Sequence, residues 1–453
     1  MTRWRAALRS GVVLCVVALA VLLPLSPASA HATLLGSDPK DGSVLKASPD
    51  VVTLRFDEPV RSTARSIRVF DARGAVVPTD VSSRGSVVSA SLPAAMATGS
   101  YVVAWRVVSD DSHPVSGSIT FSVGKPSPTV VEPKGEHKGQ AGDESSLTRP
   151  LSITAGLSYL SLFTAGGLIL FVLWPLGGVR LRPEVADRLV VGRWAGACLA
   201  VLTAVNALPL QGADEQGLGV HGAGDSSALD LSLLRGEVVV LVLQVVGLAV
   251  GLLLLRRHRW LSTAGAVLAV TSPAWVGHSR SAGPSVLVVP ADVLHLLAGA
   301  VWFGGLLGLG LTLGTLRERP PEAAAVLSRF SAIAASVLVV LTATGAIAAW
   351  RIVGSWSALV HTGYGRLLLV KLAVAAVAVA IAGFNRWRLL RAVGHGGRHG
   401  VGHGVGDGVG PGGEPGERGS TVLRVRTAVW SEAALLVVVL AVTGFLVNLS
   451  PNS

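Results

Sequence analysis

Residues 101–123 read Tyr-Val-Val-Ala-Trp-Arg-Val-Val-Ser-Asp-Asp-Ser-His-Pro-Val-Ser-Gly-Ser-Ile-Thr-Phe-Ser-Val. The runs 101–108 and 118–123 are rich in β-branched and aromatic side chains, and residues 109–117 between them supply the Asp, Pro, Ser and Gly of a turn. Three further runs of this kind precede them, at 51–56, 66–70 and 86–92. Strands separated by such turns predict a small antiparallel all-β sandwich over residues 31–124.

The turn of this hairpin also contains two potential metal ligands. Asp111 and His113 are two residues apart, so both side chains are able to point to one side of a loop. Imidazole and carboxylate groups together suit a divalent metal ion such as Cu(II). In the structural alternative Asp111 caps the turn and His113 is a solvated loop residue.

The chain begins with a segment typical of a secretory signal. Residues 1–30 hold Arg3 and Arg5, then an apolar stretch, and end with the small residues Ala28-Ser29-Ala30. An uncleaved anchor is the alternative. Cleavage after Ala30 would make His31 the first residue, with an α-amino group and an imidazole nitrogen able to chelate one ion. With Asp111 and His113 these groups would complete a tetragonal nitrogen–oxygen site for Cu(II).

The composition of the 453-residue chain excludes several classes of protein. Half of the residues are hydrophobic, only 14% are charged, and the net charge is +11. Basic residues between long apolar runs are typical of membrane proteins, which argues against a soluble enzyme and against a nucleic-acid partner. Because the sequence has only two Cys and two Met, a set of soft sulfur ligands for a metal ion is excluded.

Residues 125–150 are rich in Pro, Gly, Glu, Lys and Ser and predict a flexible linker. Residues 151–453 then predict an all-α polytopic membrane bundle of about eight helices, each about 20 residues long. The predicted spans are 151–177, 190–210, 236–255, 260–278, 287–315, 330–350, 364–384 and 428–449.

Arginines concentrate in alternate connections of this bundle, at 180–193, 256–259, 317–329 and 386–426. The positive-inside rule then places these connections in the cytoplasm. The β-domain and the C-terminus are therefore expected outside the cytoplasmic membrane, with lipid around the helices. The Gly-rich segment 391–420 contains His395, His399 and His403 and predicts a low-complexity linker, a weak metal-catching tether being the alternative.

Polar residues inside apolar spans are candidates for a transport pathway, because lipid makes them costly. His278 closes the fourth predicted span, and Asp292 and His295 lie one helical turn apart in the fifth. These three would form a ladder from the outer surface towards the membrane centre. Lys371 and Glu432 are further candidates. In the structural alternatives Asp292 only orients His295, Lys371 extends to the membrane surface, and Glu432 satisfies a neighbouring group.

The N-terminal part of the sequence resembles the CopC copper-binding proteins. The resemblance is carried by His31-Ala32, Ser37-Asp38-Pro39 with Gly42, residues 54–60 (Leu-Arg-Phe-Asp-Glu-Pro-Val) and residues 111–117 (Asp-Ser-His-Pro-Val-Ser-Gly). It implies an all-β Greek-key, immunoglobulin-like sandwich that holds Cu(II) through the N-terminal amine, His31, Asp111 and His113. A Met-rich Cu(I) site, which some members carry, is not expected because Met96 stands alone, so one Cu(II) ion is predicted.

The membrane part resembles the CopD copper-resistance family. The shared features are Gly277-His278, residues 292–306, Arg329-Phe330-Ser331, residues 364–372, Asn385-Arg386 and Glu432. The resemblance implies copper in transit through the bundle into the cell, so the chain is predicted to be a CopC–CopD fusion that is not an enzyme. Copper sequestration or sensing at the surface, with the bundle as an anchor, is one alternative. A haem-containing membrane copper reductase is another.

Overall fold

The computed structural model describes residues 32–62, 66–109, 114–130, 140–216, 218–231, 234–275, 285–316, 318–353, 355–396 and 415–449. Three predicted copper ligands, His31, Asp111 and His113, lie outside these ranges. His278, the predicted signal peptide and residues 397–414 of the Gly-rich segment lie outside them as well.

The described residues up to 124, here called the β-domain, form two facing sheets. Their strands are β1 (Leu34–Asp38), β2 (Ser43–Leu45), β3 (Val51–Phe56), β4 (Ile67–Asp71), β5 (Val76–Val77), β6 (Asp80–Arg84), β7 (Val87–Ser91), β8 (Gly99–Val108) and β9 (Pro114–Val123). One sheet has the order β1-β3-β7-β6 and the other the order β2-β9-β8-β4-β5. All pairs are antiparallel except β2 with β9, which run parallel.

The core of the β-domain lies between the two sheets. Leu54 and Val88 from the first sheet and Val69, Val103 and Phe121 from the second are almost completely buried and belong to one cluster. The all-β sandwich prediction is therefore confirmed. The sequence analysis anticipated β3, β4, β7, β8 and β9 but not the four short strands, whose half-exposed and polar side chains lack a regular apolar alternation.

The rest of the described chain, here called the bundle, is helical. Its α-helices are α1 (Gln140–Leu173), α2 (Pro183–Gln216), α3 (Gly219–Gly222), α4 (Arg235–Leu253), α5 (Arg259–Thr271), α6 (Ser285–Leu316), α7 (Pro320–Val353), α8 (Trp356–His361), α9 (Gly363–Gly396) and α10 (Pro415–Val447). Two 3-10 helices, Ser226–Leu229 and Ser272–Trp275, complete the set. Among the described residues, seven of these helices, α1, α2, α4, α6, α7, α9 and α10, are long and apolar enough to cross a membrane.

Each of the eight predicted spans contains a helix, although the bounds differ. Helix α1 begins at Gln140, so the last part of the predicted linker 125–150 is helical; the prediction followed apolar residues and stopped where the polar first turns begin. The fourth span is shorter than expected, because α5 has 13 residues, or about 20 Å. The 3-10 helix Ser272–Trp275 adds about 8 Å. The sum approaches the ~30 Å thickness of a hydrocarbon core.

The two ends of the bundle differ in character. One end holds a cavity of about 200 Å³ lined by Leu151 from α1, Glu215 from α2, Glu237 from α4, Pro273 after α5 and Asn448 after α10. They lie towards the start of α1, at the end of α2, at the start of α4, and just after the ends of α5 and α10. The described chain therefore leaves the bundle at the end where it entered it.

The opposite end is rich in arginine. Arg182 pairs with Glu318, Arg319 pairs with Glu322 at 3.0 Å, and Arg319 also donates to the carbonyl oxygen of Arg180 at 2.8 Å. The guanidinium of Arg259 lies 4.2 Å from the ring centroid of Trp174. This network joins the α1–α2, α4–α5 and α6–α7 connections, the positions where the sequence analysis expected cytoplasmic positive charge.

Glycines allow α6 to pack closely against both α1 and α7. A Cβ atom on Gly304 of α6 would lie 2.2 Å from the backbone of Gly167 on α1, and one on Gly305 would lie 2.0 Å from the Phe330 ring of α7. Neither distance is compatible with a side chain. The glycines after Trp302-Phe303 thus serve close helix packing.

Candidate copper-handling sites

The segment Asp57–Arg61 joins two distant parts of the β-domain. The backbone N–H of Thr33 donates to Asp57 Oδ1 at 2.6 Å, and the N–H of Asp57 donates to the Thr33 carbonyl at 3.1 Å. Four residues later, Arg61 and Val108 exchange backbone hydrogen bonds of 2.8 and 2.9 Å. The segment therefore holds the start of β1 on one side and the end of β8 on the other.

The β8–β9 hairpin is paired along its whole length. Its register runs from Gly99 opposite Val123 to Val108 opposite Pro114, so the ladder is closed up to the turn that carries Asp111 and His113. Trp105 lies opposite Gly117 and packs edge-on against Phe56 at a centroid distance of 5.2 Å. The two strands that lead into and out of the turn with Asp111 and His113 are thus hydrogen-bonded to each other up to Val108 and Pro114.

The same end of the β-domain contacts the bundle. Arg61 Nη2 lies 3.4 Å from Glu215 Oε1 on α2, and Arg106 Nη2 donates to the carbonyl oxygen of Asp214 at 2.6 Å. Glu215 is only 4% exposed. The end of the sandwich where β1 begins and β8 ends therefore faces the bundle cavity.

Below this cavity, polar side chains from three helices form a cluster inside the bundle. Asp292 of α6 interacts electrostatically with Lys371 and Tyr364 of α9 and with Tyr159 of α1, and Lys371 interacts with His295. We call these five residues the polar cluster. Three of them, Asp292, His295 and Lys371, were predicted from the sequence, and the structure brings them together.

His295 is fixed by a hydroxyl group. Its Nδ1 lies 3.0 Å from Thr344 Oγ1 on α7, and Thr344 Oγ1 donates its single proton to the Val340 carbonyl at 2.7 Å. The hydroxyl therefore accepts from Nδ1–H, which leaves the lone pair of a neutral imidazole on Nε2. The ring packs over Gly345, where an added Cβ would make only an ordinary van der Waals contact of 3.4 Å with the His295 Cε1 atom.

Three of the cluster residues, Asp292, His295 and Lys371, lie at similar depths. Counted from the helix ends nearest the β-domain, Asp292 and His295 lie about 10 and 15 Å along α6, and Lys371 lies about 12 Å along α9. Glu432 is 5% exposed and lies about 22 Å from the corresponding end of α10, towards the arginine-rich half. Glu432 is thus buried but deeper than the other candidates.

The sequence analysis missed several polar residues at these positions. Thr344, Tyr159 and Tyr364 were overlooked because a single hydroxyl in an apolar run carries little signal. Glu215 and Glu237 were overlooked because they lie at the limits of predicted spans. Within the described ranges, no group of three or more His, Cys, Asp or Glu side chains is arranged to hold a metal ion by itself.

Comparison with known families gives two separate matches. Residues 34–124 match the CopC domain family, and residues 324–446 match the family Copper resistance protein D. The first match covers the β-domain, and the second covers α7 to α10.

Individual relatives agree with this division. Copper transport protein CutJ of Bacillus subtilis is 28% identical over 364 residues, which cover 76% of this chain and 65% of CutJ. Copper resistance protein C of Xanthomonas campestris pv. juglandis is 34% identical over 119 residues, 24% of this chain and 91% of that protein. Copper resistance protein D of Pseudomonas syringae pv. tomato is 28% identical over 265 residues, 53% of this chain and 82% of that protein.

Proposed function

Because the chain belongs to the CopC family through its β-domain and continues into a CopD segment, we propose that it binds copper outside the cell and passes it inward through the bundle. In this proposal residues 1–30 are a signal peptide, cleavage exposes His31, and residues 125–139 tether the β-domain to the cytoplasmic membrane. Copper is the cargo, and lipid surrounds the helices.

The observation that carries the proposal is the convergence at Asp57–Arg61. Chain connectivity keeps His31 within two residues of Thr33, and the 109–113 turn begins directly after Val108, whereas Thr33 and Val108 are both hydrogen-bonded to this one segment. We assign one Cu(II) ion to the N-terminal amine, the imidazoles of His31 and His113, and the Asp111 carboxylate. This nitrogen–oxygen set suits the tetragonal preference of Cu(II).

The bundle supplies the inward part of the proposal. Polar side chains inside a membrane domain are costly, so the grouping of Asp292, His295 and Lys371 in its interior favours a transport pathway over a simple anchor. His278 is assigned to the entrance of this pathway and Glu432 to its deeper part. A purely sequestering or sensing protein would have no need of these side chains.

A haem-dependent reductase is less well supported. Such a protein needs histidines that face each other across helices to ligate iron. Of the histidines whose side chains the structure describes, His295 lies within a long helix, whereas His221, His258 and His361 lie in short helices or at helix ends. A Soret band in the purified protein would revive this alternative.

Cu(II) binding to the secreted fragment 31–124 tests the first half of the proposal. We expect tight binding of one equivalent when the fragment starts at His31, and loss of that binding when one extra residue precedes His31. The extension removes the chelating amine but leaves Asp111 and His113 in place. Equal binding by both fragments would refute the assigned site.

Cellular copper content tests the second half. We expect cells that overproduce the chain to accumulate more copper than cells without it, and the His295→Ala variant to abolish the difference. Unchanged or lower copper content in the overproducing cells would contradict inward transport.

A further inference from the structure

We propose that the cavity between the β-domain and the bundle is a second Cu(II) site, formed by Glu215, Glu237 and Gln244. It would receive copper after the β-domain releases it and before the polar cluster takes it up. The inference rests on the proposed function, because copper is taken as the cargo.

The first argument is the state of the side chains that line the cavity. Glu215 is 4%, Glu237 8% and Gln244 2% exposed. Among the described residues, Glu215 Oε2, Glu237 Oε2 and Gln244 Oε1 have no hydrogen-bond partner. Buried oxygens of this kind are normally satisfied, and buried carboxylates are especially unfavourable unless a cation or a proton neutralises them. A cation bound in the cavity that these side chains line would offer their oxygens a partner.

The second argument is the arginine that contacts one of these carboxylates. Arg61 Nη2 contacts Glu215 through Oε1 at 3.4 Å, and its side chain is 35% exposed. This loose contact leaves the other oxygen of Glu215 and the carboxylate of Glu237 available for an ion. Since Arg61 belongs to the β-domain, docking of that domain adjusts the charge of the cavity.

The third argument is position. Above the cavity, the backbone of Arg61 is bonded to Val108, the residue before the turn that carries Asp111 and His113. Below it, Tyr159 lines the cavity and interacts electrostatically with Asp292 of the polar cluster. The cavity therefore lies between the assigned copper site of the β-domain and the cluster in the bundle.

The donor set indicates which ion binds and how strongly. Two carboxylates and a carboxamide are oxygen ligands, which Cu(I) disfavours and Cu(II) accepts, with water in the remaining positions. Without an amine or an imidazole, the cavity would hold Cu(II) more weakly than the N-terminal chelate. Weaker binding is what a transit site requires, because the ion must leave again.

The test is a Cu(II) titration of the full mature chain in lipid nanodiscs, followed by equilibrium dialysis and electron paramagnetic resonance. We expect two equivalents: a tight one with nitrogen hyperfine structure and a weaker one with an oxygen-ligated spectrum. The Glu215→Gln/Glu237→Gln variant should lose the weaker equivalent and keep the tight one. Asp225→Asn, an exposed acid at the same end of the bundle, is the matched control and should keep both.

Two results would overturn the proposal: a wild-type chain that binds only the tight equivalent, or a double variant that still binds the weaker one. A wild-type chain that binds the weaker, oxygen-ligated equivalent but not the tight, nitrogen-ligated one would instead refute the β-domain assignment and leave the cavity site standing. If the double variant does not fold, the Cu(II) affinity of the Arg61→Ala variant tests the proposal instead. Removing the competing guanidinium should tighten the weaker equivalent about twofold to fivefold, and unchanged affinity would refute the site.

Discussion

The hydroxyl of Thr344 determines which nitrogen of the His295 ring carries the proton and which keeps its lone pair. Thr344→Val removes the acceptor of the Nδ1 proton, so the ring would lose its fixed orientation. A hydrogen bond of this kind contributes about 0.5–1.5 kcal/mol. We therefore expect copper uptake per molecule of membrane protein to fall about twofold to tenfold, measured as cellular copper content.

Two substitutions on the same helix provide the controls. Thr344→Ser keeps a hydroxyl and should restore most of the uptake. Thr342→Val removes a hydroxyl that also donates to the carbonyl four residues earlier, Leu338, at 2.9 Å, but this side chain is exposed on the bundle surface. Equal losses in Thr342→Val and Thr344→Val would mean that the effect is structural rather than specific to His295.

Asp71 gives the β-domain a measurable dependence on pH. The N–H groups of Ala75 and Arg73 each donate to Asp71 Oδ1 at 2.9 Å, and the Ala75 bond is the main cause that holds the pKa of Asp71 below its ordinary value of 3.8. A lowered pKa in the folded state means that the carboxylate stabilises the fold above pH 3.8. This contribution is lost as the pH falls through the lowered pKa.

The corresponding variant is Asp71→Asn in the fragment 31–124. Because the Asp71 side chain is still 24% exposed and solvent screens its charge in part, we expect the free energy of unfolding at pH 7 to fall by at most about 1 kcal/mol. The difference from wild type should shrink as the pH is lowered below 3.8. Urea unfolding at pH 7 and pH 3 measures it, and a difference that grows towards pH 3 would contradict this assignment.

At the level of elements, the β8–β9 hairpin depends on one close approach. A Cβ atom on Gly117 would lie 2.5 Å from the Trp105 ring, which is 92% buried between the sheets (8% exposed). Gly117→Ala should therefore displace the indole and lower the free energy of unfolding of the fragment by about 1–3 kcal/mol. Gly36→Ala, where no atom lies within 4 Å of the added Cβ, should change it little.

Urea denaturation measures the free energy of unfolding of both variants and so tests whether Gly117 is required for the contact with Trp105. The fragment is a fair object for this measurement, because the β-domain has its own core and a relative consists almost entirely of the matching segment. If Gly117→Ala were as stable as Gly36→Ala, the glycine of the Asp111–Gly117 motif would need an explanation other than contact with Trp105.

The elements that could be predicted from the sequence are those whose pattern is local. Runs of β-branched residues predict the strands β3, β8 and β9, and long apolar stretches predict the eight spans. The short strands β2 and β5 could not be predicted, because they exist only through pairing with β9 and β4. The start of α1 at Gln140 was missed for a related reason, since hydropathy marks the lipid-covered part of a helix and not its polar extension.

The same distinction applies to the candidate sites. Asp292, His295 and Lys371 could be predicted singly, because charge or imidazole in an apolar span is conspicuous. Their proximity, and the hydrogen bond between Thr344 and His295, depend on how α6, α7 and α9 pack against each other. No local sequence pattern encodes that packing. The acidic residues of the cavity were harder to predict. Glu215 is buried where the β-domain contacts the end of α2, and the sequence does not show that contact.

At the scale of the whole molecule, the β-domain and the bundle act through one interface. The end of the sandwich that anchors the N-terminal strand is the end that contacts Asp214 and Glu215. A domain that only captured copper could face any direction. If copper passes from the β-domain to the bundle as proposed, this orientation gives it a short path from the assigned Cu(II) ligands to the bundle interior.

The number of crossings determines on which side each later loop lies. If α5 with its 3-10 extension crosses, as the position of Pro273 beside Glu237 indicates, the α7–α8 connection at Ser355 lies on the side of the β-domain, and Pro321 at the start of α7 lies on the opposite side. If α5 does not cross, the chain crosses seven times and these two positions exchange sides.

Cysteine labelling distinguishes the two arrangements. In a background without native cysteines, a membrane-impermeant maleimide applied to intact cells or spheroplasts should label Ser355→Cys but not Pro321→Cys. Ser227→Cys, between α3 and α4, is the accessible control, and Arg257→Cys, between α4 and α5, is the protected one; both precede α5 and keep their sides in either arrangement. Labelling of Pro321→Cys together with protection of Ser355→Cys would establish seven crossings. It would also place the C-terminal half of the bundle, including His295 and Lys371, upside down relative to the route proposed here.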